Sequence, residues 1–373
     1  MREYIKLCDV CDFQGGSQPP KDEWSSDFKA GYIRMLQIRD FTQSERVAPE
    51  YIKITKTTKT CEVDDILIAR YGASLGKILT GLAGAYNVAI MRTIPDTNVL
   101  EKKYLYYYLK SPVFQGFLLN VGSRAAQAGF NKNDLQDLFI PNITRNEQVK
   151  IVGILERVET VIEARQKELQ KLDDLIKARF IEMFGDPVSN SKHLPLKTLP
   201  QLGTFGRGVS KYRPRNAPEL LNGPYPLIQT GDIANSELYI KNYNSTYSEV
   251  GLKQSKMWDK GTLCITIAAN IAKTAILQFD ACFPDSVVGF NGNNFTNNIF
   301  IHYWFSFFQE ILENQAPESA QKNINLKILS ELQIITPDII EQNQFADFVR
   351  HVDKSRFDIK KSIIELEREV VYD

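Results

Sequence analysis

The sequence predicts an α+β protein: two copies of one β-rich domain, each followed by a long helix. The two helices are expected to pack as an antiparallel coiled coil about an approximate two-fold axis. Three observations carry this expectation. Four blocks of the chain recur in the same order at a nearly constant offset. Short apolar runs bounded by Gly, Asn, Asp and Pro fill most of each copy, as strands do. Each copy then ends in apolar residues at alternating steps of three and four, which is a heptad seam.

The repeat is sought first, because missing it misreads the fold. "GYIRMLQIRDF" (31–41) matches "GPYPLIQTGDI" (223–233), with Gln37 on Gln229 and Asp40 on Asp232. "DILIARYGASLGKI" (65–78) matches "GTLCITIAANIAKT" (261–274), with Leu67 on Leu263 and Lys77 on Lys273. "AQAGFNKNDLQDLFI" (126–140) matches "AQKNINLKILSELQI" (320–334), with Asn131 on Asn325 and Leu135 on Leu329. Pro141 and Gln148 fall on Pro337 and Gln344. A period of about 195 residues means domain duplication, not a solenoid.

After Pro141 the apolar seam runs Leu155, Val158, Ile162, Arg165, Leu169, Leu172, Ile176, Arg179, Met183. Its two arginines are expected at the seam's edge or beside acids. "GDP" (185–187) ends the helix, since Gly terminates helices and Pro cannot continue one. The second seam runs Phe345, Phe348, Val352, Ile359, Ile363, Leu366, Val370. It predicts a helix markedly shorter than the first. The boundaries expected are 1–146 for the first globular domain, 147–186 for its helix, 187–341 for the second domain and 342–373 for the last helix.

Composition excludes several classes. The 45 basic and 45 acidic residues balance, so no global field marks a nucleic-acid binder, and local patches must carry any such reading. The opening "MREYIKLCDVCDFQGG" has no secretory apolar core, and no run of 18 apolar residues occurs, so neither export nor a membrane span is expected. Five cysteines, Cys8, Cys11, Cys61, Cys264 and Cys282, are scattered mostly in apolar runs, which suits small core residues in a reduced compartment. A cytoplasmic protein is expected.

Catalytic patterns are missing. "ARYGASLGKI" (69–78) resembles a phosphate-binding loop, but Gly72 and Gly76 are separated by three residues where four are needed, and Ile78 follows Lys77. Its partner "ITIAANIAKT" has no glycine. The stretch therefore reads as strand, turn and strand. No nucleophile elbow, zinc-protease motif or paired Cys-x-x-Cys occurs, and three histidines leave little scope for histidine chemistry. "PDTNVLEKK" (95–103) mimics a nuclease motif with too short a gap and reads as a charged turn leading into a helix.

Basic residues cluster locally instead. "FGRGVSKYRPR" (205–215) carries Arg207, Ser210, Lys211, Arg213 and Arg215 without an acid. Its counterpart "FQGGSQPPK" (13–21) carries Ser17, Gln18 and Lys21. Both are Gly-rich, leaving the chain free to approach a partner closely. Arg70, Tyr71, Ser74 and Lys77 surround the first strand-turn-strand, and Thr266, Asn270 and Lys273 the second. "GSRAAQAGFNK" (122–132) adds Arg124, Gln127 and Lys132, and "PESAQKN" (317–323) adds Ser319, Gln321 and Lys322. Gln37 and Arg39, like Gln229 and Thr230, lie in the recurring Gln-x-x-Asp blocks, which serve either as readers or as structural turns. Gln, Asn and Arg read base edges, whereas Lys and Ser hold phosphates. Any one of these is ordinarily a solvated loop residue. As a set they recur at matched positions with unlike sequences, which suits two different DNA half-sites. The competing reading is a coiled-coil interaction scaffold with duplicated β-rich modules and no DNA role.

With these residues in hand, the chain resembles the specificity (S) subunits of type I restriction–modification systems. The resemblance rests on "GGSQPP" and "GRGVSK", "YPLIQTGDI", "DDILIARYGASLGK", "FPDSVVGF", "IPNITRNEQVKIVGIL" and "LDDLIKARFIEMFGDP". It implies that the globular units are target recognition domains, each reading half of a split, asymmetric site in double-stranded DNA. It further implies that the helices space the halves and hold two methyltransferase (M) subunits, with restriction (R) subunits completing the complex. S-adenosylmethionine, ATP and Mg would belong to those partners, with no cofactor and no catalytic residue in this chain. In the second copy the Glu-Gln opening the helix is either Glu341-Gln342 or Asn343-Gln344. A helix of about 38 residues would span roughly 57 Å at 1.5 Å per residue.

Overall fold

The computed structural model describes residues 3–122, 129–268, 271–315 and 324–372. They fall into two compact units, Met1–Ala164 with Ser362–Asp373, and Arg165–Lys361.

Unit 1 contains β1 (Tyr4–Lys6), β2 (Cys11–Gly15), β3 (Tyr32–Leu36), β4 (Tyr51–Lys53), β5 (Thr60–Cys61), β6 (Leu67–Ala69), β7 (Ile78–Leu79), β8 (Gly84–Tyr86), β9 (Ile90–Pro95) and β10 (Phe139–Pro141). They form sheets ordered β2-β9-β6-β7 and β4-β3-β8-β5, with β1 paired to β10. Leu67, Ile68 and Ala69 in β6 are all buried, which is why this strand reads as an unbroken apolar run.

Unit 2 contains β11 (Leu196–Thr198), β12 (Gly203–Arg207), β13 (Leu221–Leu227), β14 (Tyr239–Ile240), β15 (Ser245–Tyr247), β16 (Met257–Trp258), β17 (Leu263–Thr266), β18 (Thr274–Leu277), β19 (Ala281–Cys282), β20 (Val287–Gly292) and β21 (Gln333–Ile335). Its sheets run β12-β20-β17-β18-β14 and β15-β13-β19-β16, with β11 paired to β21. Strand for strand this is the order of unit 1, with β14 added at one edge. The repeat in the sequence is therefore a repeat of topology.

The Gln-x-x-Asp blocks are helix starts. Asp40 Oδ2 accepts from the Gln37 N–H at 2.9 Å, and Asp232 Oδ2 from the Gln229 N–H at 2.8 Å. Each is a capping box opening a five-residue helix, Ile38–Thr42 and Thr230–Ala234. The structural alternative for these pairs is thus real, although each Gln side-chain amide remains free to bond elsewhere. Asn131 and Asn325 also match, each accepting a backbone N–H at a helix start.

"PDTNVLEKK" leads into helix Lys102–Lys110, as expected of a charged turn. Ser111, preceding Pro112, is extended (φ −67°, ψ 153°), so the chain breaks before helix Pro112–Gly122. In unit 2 one helix, Asn298–Gln315, follows the corresponding turn.

The glycines of the two basic loops have another use than freedom. A Cβ on Gly16 would lie 2.1 Å from the Asn87 carbonyl oxygen, and one on Gly208 2.1 Å from that of Phe283. These glycines let the chain cross its own backbone, which corrects the reading of a loose segment approaching a partner.

The strand-turn-strand reading of 65–78 holds. β6 pairs β7 and β17 pairs β18, both antiparallel. Ala69 N–H donates to Lys77 O at 2.9 Å, and Thr266 N–H to Lys273 O at 2.9 Å. Gly76 adopts φ 82°, and in the second copy Ala272 adopts φ 59° without a glycine. The left-handed turn is kept while its usual residue is not.

The central helix spans Arg145–Phe184 (40 residues) and the C-terminal helix Ile339–Tyr372 (34 residues). The second is therefore only slightly the shorter, against the expectation. It begins at Ile339, six residues before the first seam residue, Phe345, and Arg356, 5 % exposed, occupies the step between Val352 and Ile359 where the seam has no apolar residue. The seam residues of the central helix are buried or half-buried, and Arg165 and Arg179 pair with Glu168 and Glu182 one turn on. Within unit 2 the helices run antiparallel: Asp173 meets Arg356, Arg179 lies over the Phe348 ring, and Phe184 packs on Phe345. Phe180 stacks on Phe300 at 5.3 Å, binding the helix to the unit's core. Gly185 (φ 75°) ends the helix, and Lys192 Nζ donates to the carbonyls of Glu182 and Met183.

The helix openings settle the Glu-Gln question. Gln148 donates to Val99 O and Ile143 O and accepts from the Glu101 N–H. Gln342 donates to Phe295 O and Pro337 O and accepts from the Asn297 N–H. The two are 3 % and 1 % exposed. Gln342, not Gln344, is the equivalent of Gln148, and Pro337 corresponds to Ile143 rather than to Pro141. A two-residue length difference upstream misaligned that block.

Candidate nucleic-acid interface

In unit 1 three expected contact residues converge on one carboxylate. Glu50 Oε1 accepts from Lys21 Nζ at 2.5 Å, while Oε2 accepts from Arg39 Nη2 at 2.5 Å and Gln37 Nε2 at 3.1 Å. The Lys21 hydrogen bond, with the Lys21 and Arg39 charges, holds the Glu50 carboxyl below the ordinary carboxylate range. Lys21 also sits 3.8 Å from the Trp24 ring centroid. β3 places Gln37 and Arg39, and the chain entering β4 brings Glu50 beside them. Ser17 donates to Thr57 O at 3.4 Å and accepts from the Lys59 N–H at 3.3 Å, tying the glycine loop to residues 57–59. Gln18 is exposed.

Other expected residues of unit 1 are placed differently. Arg70 Nε donates to Phe130 O at 3.1 Å and Nη1 to Val88 O at 3.2 Å, so its guanidinium is an internal clip. Tyr71, 41 % exposed, bridges to Gly129. Ser74 is half-buried in the turn, and Lys77 is exposed with no ion partner among the described residues. Lys132 pairs with Asp12. Arg124 and Gln127 lie outside the described residues.

In unit 2 the loop after β12 is held from beneath. Gln254 Oε1 accepts from the N–H groups of Lys211 and Tyr212 at 2.7 and 3.1 Å. Arg215 Nη2 pairs with Asp285 Oδ1 at 2.5 Å, and Arg213 Nη2 lies 3.7 Å from Asp285 Oδ2. Arg213 Nη1 also donates to Ser210 O and Tyr212 O. Arg207 and Lys211 side chains are exposed without ion partners among the described residues. Gln229 Nε2 donates to Ser245 Oγ at 3.2 Å, and Thr230 is half-buried at its helix start. Lys273 is half-buried without an ion partner among the described residues.

Two expected contacts are overturned by burial. Thr266 is 0 % exposed, its hydroxyl donating to Lys273 O and accepting from the Lys273 N–H. Ser210 is 6 % exposed beneath its loop. A side chain enclosed by its own fold cannot reach a groove. Asn270, Ser319, Gln321 and Lys322 lie outside the described residues.

Sequence reasoning missed Glu50, Asp285 and Gln254, because each gains its role from a partner distant in the chain. It also missed Lys53, Lys56 and Lys59 in "KITKTTKT" (53–60), which no acid interrupts. That spacing was a readable signal. Four cysteines are core residues, Cys11, Cys61, Cys264 and Cys282 being at most 3 % exposed. Burial raises their thiols, Cys11 to about 12 and Cys61 to about 11, leaving them protonated and inert at neutral pH. Among the described residues no group of three His, Cys, Asp or Glu could hold a metal, and no helix is long and apolar enough to cross a membrane.

The profile of a family described as the type I restriction modification DNA specificity domain matches residues 2–174 and again 198–368. The chain belongs to this family. The two matches coincide with the two topological copies, and members of this family are non-catalytic specificity subunits. A relative from Methanocaldococcus jannaschii described as a putative type I restriction enzyme MjaX specificity subunit is 23% identical over 349 residues, covering 84% of this chain and 80% of the relative. The EcoBI specificity subunit of Escherichia coli is 26% identical over 151 residues, covering 38% of this chain and 32% of that protein. Among solved structures, a chain from work on complex assembly and conformational transition of the type I R-M system superposes with a TM-score of 0.65 at 16% identity, covering 99% of this chain and 95% of that one. The type I S subunit from M. genitalium gives 0.52 at 15% identity, covering 99% and 93%. At these identities the superpositions establish the fold.

Proposed function

We propose that this specificity subunit reads a bipartite, asymmetric site in double-stranded DNA, with each of its two β-rich domains recognising one half. The domains are residues 1–146 and 187–341, and the helices between and after them set the spacing and dock two methyltransferase subunits. Restriction subunits complete the assembly, which acts in the cytoplasm. Adenine methylation and ATP-driven cleavage are the partners' chemistry, using S-adenosylmethionine, ATP and Mg held by those subunits.

One observation carries this reading: two copies of one strand topology present unlike polar loops at matched places. The first places Lys21, Gln37 and Arg39 together, and the second places Arg213 and Arg215 together. A single scaffold bearing two different donor sets suits two different base sequences, because specificity lies in the arrangement of side-chain donors and acceptors. The test is to express the subunit with its methyltransferase partner in a host lacking adenine methylation and map modified bases genome-wide. A motif of two short defined halves separated by a fixed undefined gap is expected. Absence of new adenine methylation would favour the interaction-scaffold reading.

A further inference from the structure

Several basic side chains around the candidate interface are held, Lys21 by Glu50, Lys132 by Asp12 and Arg70 by the carbonyls of Phe130 and Val88, and the rest that matter here differ in their ion partners. Lys53, Lys56, Lys77 and Arg207 have no ion partner among the described residues. Arg39 and Arg215 are instead tethered by one edge to a carboxylate, at 2.5 Å in each case. The tethered guanidiniums stay accessible, at 45% and 47% exposed, above less exposed acids, Glu50 at 25% and Asp285 at 37%. Exposed ion pairs of this kind add little to stability, so stability does not explain them. What a tether does achieve is orientation. Arginine is a long, flexible side chain, and holding one edge of its planar fork turns the other edge in a defined direction. A phosphate contact tolerates a loose cation, whereas bidentate reading of a base edge does not.

The two tethers occupy unrelated places in the repeat. Glu50 lies just before β4, and the residue before the corresponding β15 is Asn244. Asp285 lies in the turn before β20, and the turn before the corresponding β9 is Asn87-Val88-Ala89. A structural clip inherited through duplication would recur at matched positions. These two lie at unmatched positions, each beside its own copy's arginines.

We propose that Glu50 and Asp285 are positioning residues for sequence specificity, each orienting the arginine fork that reads a base in its own domain's half-site. This rests on the bipartite reading above. In unit 1 Glu50 sets Arg39, with Gln37 held on the same oxygen as a second candidate reader. In unit 2 Asp285 sets Arg215 and draws Arg213 alongside. The free lysines hold phosphates and carry no sequence information.

Methylome mapping with the methyltransferase partner tests this, comparing wild type with Glu50→Gln, Asp285→Asn, Arg39→Lys and the double variant Lys53→Ala/Lys56→Ala. With Glu50→Gln, one position of one half-site should become degenerate. Methylation of sites mismatched there should rise about ten- to a hundredfold relative to the matched site, the range a bidentate contact supplies. Arg39→Lys, which keeps the charge but loses the fork, should relax that same position. Asp285→Asn should relax the opposite half only. The lysine double variant should lower methylation uniformly with the motif intact. A folding defect of one domain would relax its whole half-site, whereas loss of one tether relaxes a single position within it. An unchanged motif in Glu50→Gln or Arg39→Lys, with only the extent of methylation altered, overturns the proposal. So does relaxation of both halves by one variant, or of the same half by both tether variants. A wild-type subunit that yields no bipartite motif refutes the function itself, and the proposal falls with it.

Discussion

Gln342 sits fully enclosed where the last helix begins, and its side-chain amide makes three hydrogen bonds to backbone groups of the preceding segments. Removing it leaves the Asn297 N–H and two carbonyls without partners in a dry place. Gln342→Ala should therefore cost about 3 kcal/mol in urea denaturation, and Gln148→Ala a similar amount. Gln344, exposed one half-turn on, provides the contrast. Gln344→Ala should change stability by less than about 0.5 kcal/mol. Equal effects at 342 and 344 would contradict the equivalence of Gln342 with Gln148. A glutamine's worth was not legible from the residue string, since "EQNQ" offers two candidates and only the turn before the helix chooses between them. The Gln-x-x-Asp pairs were half legible: their recurrence signalled a shared role, and the capping geometry then assigned it.

At the scale of elements, the helix pair of unit 2 carries a buried arginine. Arg356 pairs with Asp173 on the opposite helix and with Asp353 on its own, at 3.1 Å to the latter. The side chain of Arg356 is 7 % exposed, that of Asp353 19 % and that of Asp173 50 %. Arg356→Ala leaves the largely buried Asp353 unpaired and should destabilise unit 2 by about 3 kcal/mol. Asp173→Ala removes a half-exposed partner and should cost less than about 1 kcal/mol. Urea denaturation of the two variants side by side checks this order. A second element-scale prediction concerns the helix Asn298–Gln315. His302 Nδ1 lies 2.9 Å from the Thr274 hydroxyl of β18, and burial pushes its imidazole down to about 4. The unfolded chain takes up the proton near the ordinary value of 6.5, while the folded chain resists until about 4. The stability this histidine contributes is full above 6.5 and is lost as pH falls through that window. His302→Gln should flatten the fall in melting temperature across it. The seams and helix ends were legible because a 3.6-residue period and a Gly-Asp-Pro stop are local. Arg356 interrupts the apolar period of the second seam without ending its helix.

For the whole molecule, zero net charge limits what the subunit does alone. Without a global basic field, the DNA affinity proposed for it rests on a few loop cations, so it should be weak, and each phosphate contact should add only about one unit to the slope of log affinity against log salt. Fluorescence anisotropy at about 0.15 M salt should show weak binding by the isolated chain. Adding the methyltransferase partner should tighten it at least about tenfold, through the phosphate contacts that partner brings. Tight binding by the isolated chain, unchanged when the partner is added, would contradict this. Duplication was legible at this scale from four matched blocks, and the sheets of the two copies repeat one strand order.

The sequence by itself determined the two-copy α+β architecture, the long helices and the absence of catalytic motifs, because repeats, periods and motifs are written in residue order. Only the tertiary structure decided which polar residues remain available at the surface. Residues 21, 37 and 39 meet on the Glu50 carboxylate because the fold gathers them, while Thr266 is lost to the interior because β17 is a central strand. Burial and convergence arise from contacts between distant segments, and no local pattern records them.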